Sequence, residues 1–506
     1  MKKIINKIKK DLLKEVGRHK VVYFCLGIIL LAGLIARVYR VGTVLGFYYD
    51  QGRDALVIWE LIHKGKLFLI GPTTGIAGIF RGPFYYYLIA PFYFVGGGDP
   101  AWPAVMLAVL SVLAIALMYY LALKMQDRIS GLFAALIASL SFYIVMAGRW
   151  LSNPTPMLLL SMILVWLMVL VTEGKKWAWV GIAFVAGSSL FHFGSAGEAF
   201  YFPALLLFAI WQRKNLPGRK IFVLSLVAFL ITAMPQIVFD IRHDGILREN
   251  IKKFLIDDGS FKLSFRQVLE KRLDFYYDVF TNKIFHWRRK KEVVMLAVVG
   301  LTFLVCLPKF IKQKGVVILM LLLTTLMVGL LFFQGNFGNI YDYYLTGYYL
   351  VFILLFGLVL GRIWRFWLGK IFVIFFFWNF FAMNINIIRF KITDNVDGPG
   401  SVALKNELQA IDWVYRDAAG RPFNIDVYVP PVIPYAYDYL IKWYGMKNFG
   451  YLPEEKQISL LYTIYENDNP HPERLEAWFE RQKGIGDVVD EVRFGGIGVQ
   501  RRVRKE

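Results

Sequence analysis

Two carboxylates just beyond a long apolar stretch have the clearest potential for chemistry in this sequence. Asp50 and Asp54 are four residues apart, and Arg53 stands between them. A carboxylate at the boundary between membrane and water can act as a general base toward a hydroxyl group, a role worth about 10²–10⁴-fold in rate. The pattern predicts that Asp50 is catalytic, and a helix N-cap is the structural alternative.

Asp54 is the natural electrostatic neighbour of Asp50. If Asp50 begins a helix, the two side chains share one helix face. Asp54 would then raise the pKa of Asp50, and Arg53 would lower it. The two carboxylates could instead bind a divalent cation, but without a histidine or a third acid they are weak evidence for a metal. A salt bridge from Asp54 to Arg53 or Arg81 is favoured. The sequence requires no cofactor and leaves a divalent cation open.

Other polar residues lie in loops predicted to face the same water phase, and they are candidates for substrate binding. A guanidinium group matches the oxygens of a phosphate, and an arginine together with an asparagine would suit a sugar phosphate. Each arginine taken alone is more typical of a protein surface or of contact with lipid headgroups, and packing is the favoured role for a lone histidine. The candidates are Arg53, Arg81, Tyr85, Arg149, Asn153, His192, Arg242 and Asp342.

Composition indicates the class of protein in which these residues are positioned. Of the 506 residues, 57% are hydrophobic and 19% are charged, whereas soluble domains carry about 25% charged residues. The sequence therefore predicts an integral membrane protein. The net charge of +21 does not indicate nucleic-acid binding, because residues 391–506 carry 15 basic and 18 acidic residues. The excess belongs to residues 1–390, where basic loops orient membrane helices.

About eleven apolar stretches are long enough to be membrane-spanning helices. Basic residues recur at every second connection between them, as cytoplasmic loops require. This alternation places the N-terminus in the cytoplasm and the unusual polar residues outside it, in a multi-pass protein of the plasma membrane. The predicted spans are 21–38, 102–123, 130–147, 155–172, 177–191, 199–211, 221–239, 293–308, 316–333, 343–361 and 366–385.

Four regions follow from this pattern. Residues 1–20 form a basic, amphipathic cytoplasmic segment, and residues 21–390 form the transmembrane domain. That domain includes a large first external loop, 41–101, in which an amphipathic helix ends near Gly65. Residues 391–506 form a small extracytoplasmic α/β domain. Its predicted elements are helices at 401–418, 435–444 and 472–482, strands at 424–429 and 458–465, and a hairpin at 491–503.

Three short motifs resemble a known family. They are Asp50-Gln-Gly-Arg-Asp54 after the first span, Arg81-Gly-Pro-Phe-Tyr-Tyr-Tyr87, and the segment 149–154. With the many helices, large first loop and C-terminal α/β domain, they resemble the polytopic glycosyltransferases of the GT-C class that use lipid-linked sugars. The specific resemblance is to the superfamily of the protein mannosyltransferases and aminoarabinose transferases.

The resemblance implies a transferase that uses a polyprenyl-phosphate sugar. It implies that Asp50 is the base and that Arg81 lies near the donor phosphate. The expected partners are this donor, the bilayer, and a glycan, lipid or protein acceptor, with no nucleic acid. Relatives often carry an acidic residue directly after the first aspartate, where this chain has Gln51. That departure weakens the case for a two-carboxylate metal site.

A transporter or lipid flippase is the alternative class, because it would also have many helices. Such proteins place ionisable residues in the middle of helices and are built from paired halves. The predicted spans are nearly free of charge, and no halves match. The sequence therefore favours the transferase.

Overall fold

Long apolar segments form helices in a membrane because their backbone hydrogen bonds must be satisfied internally. The computed structural model describes residues 14–75, 78–254, 264–333, 339–394, 396–430 and 433–505. Residues 1–13 of the predicted cytoplasmic segment lie outside these ranges. Within them, seven helices are long and apolar enough to cross a membrane, and a bent pair would be an eighth span.

The eleven predicted spans each correspond to one of these helices, to the bent pair, or to one of three shorter apolar helices. The polytopic helical prediction is therefore confirmed. In chain order the helices are α1 (Lys20–Val38), α2 (Val41–Val44), α3 (Tyr49–Lys64), α4 (Phe84–Val95), α5 (Ala101–Met125), α6 (Arg128–Leu140), α7 (Phe142–Arg149), α8 (Met157–Thr172), α9 (Ala178–Ser188), α10 (Tyr201–Trp211), α11 (Arg219–Arg242), α12 (Ile246–Lys252), α13 (Phe265–Asn282), α14 (Lys290–Phe310), α15 (Lys314–Phe332), α16 (Thr346–Ile363) and α17 (Trp367–Arg389).

A buried arginine stabilises the joint between α1 and the bent pair α6–α7. The two helices of the pair meet at 64°, and a break of this kind leaves backbone carbonyls without helical partners. Arg37 is fully buried and donates from Nη1 to the carbonyl of Ser139 (3.0 Å) and from Nη2 to that of Ala138 (2.8 Å). The arginine thereby links the end of the first span to the bend.

Helix α3 begins directly after the first span and carries Asp50 in its first turn. Its N-cap is Tyr48, whose backbone N–H donates to the side chain of Gln51 at 3.1 Å. The N-cap alternative for Asp50 is therefore wrong. The helix ends at Gly65, whose φ of 64° is easily adopted by glycine. The predicted amphipathic helix with a glycine cap is confirmed.

The C-terminal unit is a four-stranded sheet with helices, as predicted. The strand order is β1-β2-β4-β3, with β1 and β2 parallel and the other pairs antiparallel. The hairpin begins at 486 rather than 491, because the exposed side chains of residues 487–490 hide the alternation of a half-buried strand. The elements are α18 (Leu404–Ala418), β1 (Asn424–Tyr428), α19 (Tyr435–Leu440), β2 (Leu460–Glu466), α20 (Pro472–Ile485), β3 (Gly486–Phe494) and β4 (Ile497–Arg504).

The C-terminal unit packs directly on α3 and its flanking loops. The backbone N–H of Leu404 donates to the carbonyl of Leu45 at 3.0 Å, and the Tyr439 hydroxyl donates to the carbonyl of Gly98 at 2.6 Å. At Gly52 a Cβ atom would overlap the backbone of Ala436 in α19. The glycine between the two aspartates therefore allows the C-terminal unit to approach the helix that carries them.

Substitution of Gly52 by alanine tests this close contact. The added methyl group must displace the backbone of α19, and overpacking of this kind costs about 1–3 kcal/mol. We expect a lower midpoint of thermal unfolding for the purified protein in detergent. The matched control is Gly27→Ala in α1, where a Cβ meets no atom within 4 Å. Equal midpoints for Gly52→Ala and the control would contradict the contact.

Candidate active site

Arg53 bridges the two aspartates of the first loop. Its Nη1 lies 2.9 Å from Oδ1 of Asp50, and its Nη2 lies 2.8 Å from Oδ1 of Asp54. The Asp50 side chain is 61% exposed, whereas that of Asp54 is 7% exposed. The predicted salt bridge between Asp54 and Arg53 is confirmed. One carboxylate is thus open to a substrate, and the other is held inside the protein.

Burial determines the electrostatics of Asp54. It raises the pKa of this carboxyl group to about 6, although the charge and hydrogen bonds of Arg53 act in the opposite direction. The hydroxyl of Tyr86 also donates to Asp54 Oδ1 at 3.0 Å, which favours the ionised form. Asp54 therefore changes its protonation close to neutral pH, and the charge balance around Arg53 changes with it.

The two carboxylates do not form a cage for a divalent cation. Arg53 already pairs with both of them, and its Nη1 also donates to the Thr73 hydroxyl at 3.0 Å. Across the described parts of the chain, no group of three or more His, Cys, Asp or Glu side chains could hold a metal ion. The donor set around Asp50 therefore favours the arginine over a metal ion.

Arg81 is a further cation that interacts electrostatically with Asp50. Its backbone is fixed by two hydrogen bonds, from Gly71 N–H to its carbonyl (2.7 Å) and from its own N–H to the carbonyl of Pro72 (3.0 Å). Burial lowers the pKa of Arg81, and the carboxylate of Glu198, two tyrosines and Asp50 raise it in turn. The structure thus brings the predicted base and the predicted phosphate-binding residue into one cluster.

Glu198 lies behind Arg81, and sequence reasoning assigned it no role. It is 1% exposed and accepts hydrogen bonds from the N–H of Ser195 (2.6 Å) and the N–H of Gly347 (2.9 Å). Arg81 Nη2 lies 3.4 Å from the Ser195 hydroxyl. Glu198 therefore ties the loop that contacts Arg81 to the start of α16. The Ser195-Ala-Gly-Glu198 spacing of a capping box could have indicated its local contact, but nothing in the sequence marks its contact with Gly347.

His192 packs against the segment that follows Arg81, at Gly82 and Phe84. Its ring stacks on Phe84 at 3.7 Å between centroids, and its Nε2 lies 2.6 Å from the carbonyl of Thr232. A Cβ at Gly82 would overlap the imidazole. His192 and Tyr85 are both fully buried, so neither presents a surface to a substrate. The packing role expected for a lone histidine agrees with these contacts.

Three predicted substrate contacts form no ion pair with Asp50 or Asp54, although one of them, Arg149, lines a cavity described below. Arg149 donates from Nη1 to the carbonyls of Arg37 (2.9 Å) and Tyr39 (3.0 Å), which places it at the end of α1. Asn153 donates to the carbonyl of Phe193 at 3.2 Å. Arg242 is exposed in the last turn of α11 and makes no ion pair with another described residue. The structure gives the first two a structural contact and does not join Arg242 to the cluster.

Asp342 forms an ion pair that the sequence did not reveal. Its oxygens lie 2.7 and 2.9 Å from Nζ of Lys283, and the Tyr349 hydroxyl donates to it at 2.6 Å. The Lys283 side chain is 1% exposed, and its ammonium lies 4.2 Å from the centroid of the Tyr349 ring. In sequence Lys283 is indistinguishable from a surface lysine of a polar loop. Its position became apparent only from the fold.

A cavity of about 390 Å³ lies beside this ion pair. Its walls are largely apolar, with Val44 and Met146 among them, and its charged side chains among the described residues are Arg149, Lys283 and Asp342. Tyr343 lines the cavity and also lies in the electrostatic surroundings of Arg81. The cavity can therefore hold an apolar chain that ends in an anionic group.

Comparisons with known proteins concern the family and the fold of the chain. Residues 81–239 match the family described as dolichyl-phosphate-mannose-protein mannosyltransferase. Among curated protein sequences no match was found. The apo structure of ArnT from Cupriavidus metallidurans is similar, with a TM-score of 0.60, 10% identity, and coverage of 96% of this chain and 98% of ArnT.

A second structure of the same ArnT, bound to undecaprenyl phosphate, has a TM-score of 0.56 at 12% identity, with the same coverage of both chains. At these identities the likeness establishes the fold. The match over residues 81–239 includes Arg81 and the segment 149–154. The chain is therefore a polytopic membrane protein with the ArnT fold, and its resemblance to the protein mannosyltransferase and aminoarabinose transferase superfamily of the GT-C class is confirmed.

Proposed function

We propose that the chain transfers a sugar from a polyprenyl-phosphate donor to an acceptor hydroxyl, with Asp50 as the general base. The observation that carries the proposal is the pairing of an exposed carboxylate with a buried one through Arg53, in the electrostatic surroundings of Arg81. A glycosyl transfer of this kind needs a base for the acceptor and a cation for the leaving phosphate.

The donor would occupy the apolar cavity of about 390 Å³ with its polyprenyl chain. Its phosphate would lie toward Arg81, whose guanidinium matches phosphate oxygens. Two facts support this placement: the cavity walls are apolar, and an ArnT with the same fold binds undecaprenyl phosphate. The buried ammonium of Lys283 adds positive charge to the same cavity.

The reaction follows from these positions. The acceptor hydroxyl loses its proton to Asp50 as its oxygen bonds to the anomeric carbon. The bond from that carbon to the phosphate oxygen breaks, and the polyprenyl phosphate leaves with its charge stabilised by Arg81. A single displacement inverts the configuration at the anomeric carbon.

We place this reaction on the extracytoplasmic face of the plasma membrane. The recurrence of basic residues at every second loop supports that orientation. The transporter alternative receives no support from the ArnT fold, whereas the transferase does.

The first prediction concerns Asp50→Asn, which keeps the shape of the side chain and removes its basicity. We expect transfer to fall by about 10²–10⁴-fold. Binding of polyprenyl phosphate should stay near the wild-type value, because Asp50 would act on the acceptor. The measurement is transfer from synthetic polyprenyl-phosphate sugars by the purified protein, with binding followed separately.

The matched control is Asp274→Asn, which changes an exposed aspartate on α13. The control should retain both transfer and binding. Near wild-type transfer by Asp50→Asn would show that another group is the base.

The second prediction concerns Arg81. Loss of a charge-assisted hydrogen bond removes about 1.5–3 kcal/mol, so Arg81→Ala should bind polyprenyl phosphate at least about tenfold more weakly. Arg81→Lys should recover part of the affinity, because lysine keeps the charge without the planar fork. Arg266→Ala on the exposed face of α13 is the control. Unchanged affinity in Arg81→Ala would remove Arg81 from the phosphate site.

The third prediction is a pH dependence that originates in Asp54. As pH falls through about 6, Asp54 becomes neutral and Arg53 keeps Asp50 as its ionised partner. A base held in this way accepts a proton less readily, so transfer should decrease as pH falls through this range. In Asp54→Asn this part of the pH–rate profile should be lost.

Tyr86→Phe tests the direction in which the pKa of Asp54 shifts the pH–rate profile. The Tyr86 hydroxyl donates to Asp54 and lowers its pKa. Its removal should therefore move the decrease to higher pH. A pH–rate profile that is identical in Asp54→Asn and the wild type would exclude Asp54 as the titrating group.

A further inference from the structure

A second cavity lies at the start of α3, between that helix and the C-terminal unit. It has a volume of about 270 Å³. Its lining includes Tyr48 and Tyr49 on one side and Pro434, Ala436 and Glu466 on the other. The cavity thus lies at the helix turn that carries Asp50, and Tyr49, which lines it, is the sequence neighbour of the proposed base.

Glu466 brings a buried carboxylate to this cavity. It ends β2 and is 9% exposed. One of its oxygens accepts a hydrogen bond from the Tyr437 hydroxyl at 2.9 Å. The described residues offer no hydrogen bond to its second oxygen and no cation within ion-pair distance. A buried carboxylate without a positive partner is costly, and a cationic ligand would offset that cost.

A second buried acidic side chain lies in the electrostatic surroundings of Glu466. Glu407 in α18 is fully buried, and neither of its oxygens has a hydrogen-bond partner among the described residues. It interacts electrostatically with both Glu466 and Tyr48. Burial raises the pKa of Glu466 to about 7, and burial together with the charge of Glu466 raises that of Glu407 well above its usual value. Of the two acids Glu466 lines the cavity, and a ligand ammonium group beside it would favour its ionised form.

The two cavities differ in the sign of their charge. The larger cavity carries Arg149 and Lys283 beside Asp342, whereas Glu466 is the charged residue of the smaller cavity within the described chain. A phosphate group is suited to the first and is repelled by the second. Tyrosine rings such as those of Tyr48 and Tyr49 also favour a cation at close range.

We propose that the smaller cavity is the acceptor site and that it selects an acceptor carrying a protonated primary amine, which Glu466 binds while the acceptor hydroxyl faces Asp50. The proposal rests on the proposed transferase function. It names the acceptor class for that reaction: a hydroxyl compound with a nearby ammonium group, as in an amino sugar. Acceptors that carry phosphate at this position would be excluded by charge.

The test is equilibrium binding of two octyl glycosides to the purified full chain in detergent. One carries 2-amino-2-deoxyglucose, and the other is its N-acetyl derivative, which has no charge. A charge-assisted hydrogen bond between the amine and Glu466 corresponds to about a tenfold or larger preference for the amino glycoside over its N-acetyl derivative. In Glu466→Gln this preference should fall below about threefold. The control is Glu480→Gln on the exposed face of α20, which should keep the wild-type preference.

Two further variants make the result decisive. The amide of Glu466→Gln can still accept the Tyr437 hydrogen bond. If the midpoint of thermal unfolding of Glu466→Gln differs from that of the wild type, Glu407→Gln takes its place in the same comparison. Asp50→Asn should keep the preference for the amine while it loses transfer. Equal binding of the two glycosides by the wild type, or an unchanged preference in the glutamine variant, would overturn the acceptor proposal. Full transfer by Asp50→Asn with the preference intact would overturn the base assignment alone.

Discussion

The close contact between Gly52 and the backbone of Ala436 is the constraint on which the arrangement of the site depends. It allows α19 to lie against α3 at the turn that carries Asp50. Without it the C-terminal unit could not form one wall of the smaller cavity, to which Ala436 and Glu466 contribute. The same glycine belongs to the Asp50–Asp54 motif, so its presence there has a packing reason beside any chemical one.

Around this joint the structure separates charges by type. Arg53 holds one exposed and one buried carboxylate, and Arg149 and Lys283 line the apolar cavity. Glu466 lies toward the C-terminal unit. A transferase with a lipid phosphate as leaving group needs such a division, because the proton acceptor and the anion must be stabilised on opposite sides of the reacting carbon.

Hydropathy and periodicity predicted the helices and most of the sheet, because both signals are local. The Arg53 salt bridge was likewise predictable, since its partners are its sequence neighbours. Glu198 was not, because its role comes from a hydrogen bond to Gly347, which is 149 residues away. Lys283 pairs with Asp342 across 59 residues. Burial of a charged residue by distant segments leaves no pattern in one sequence.

The most direct test of the central claim is an experimental structure of the full chain with a polyprenyl-phosphate sugar bound. The account predicts a phosphate oxygen within hydrogen-bond distance, about 3 Å, of the Arg81 guanidinium. It also predicts that the anomeric carbon faces Asp50, with room for an acceptor oxygen between them. A lipid phosphate bound away from Arg81, with Asp50 remote from the anomeric carbon, would contradict it.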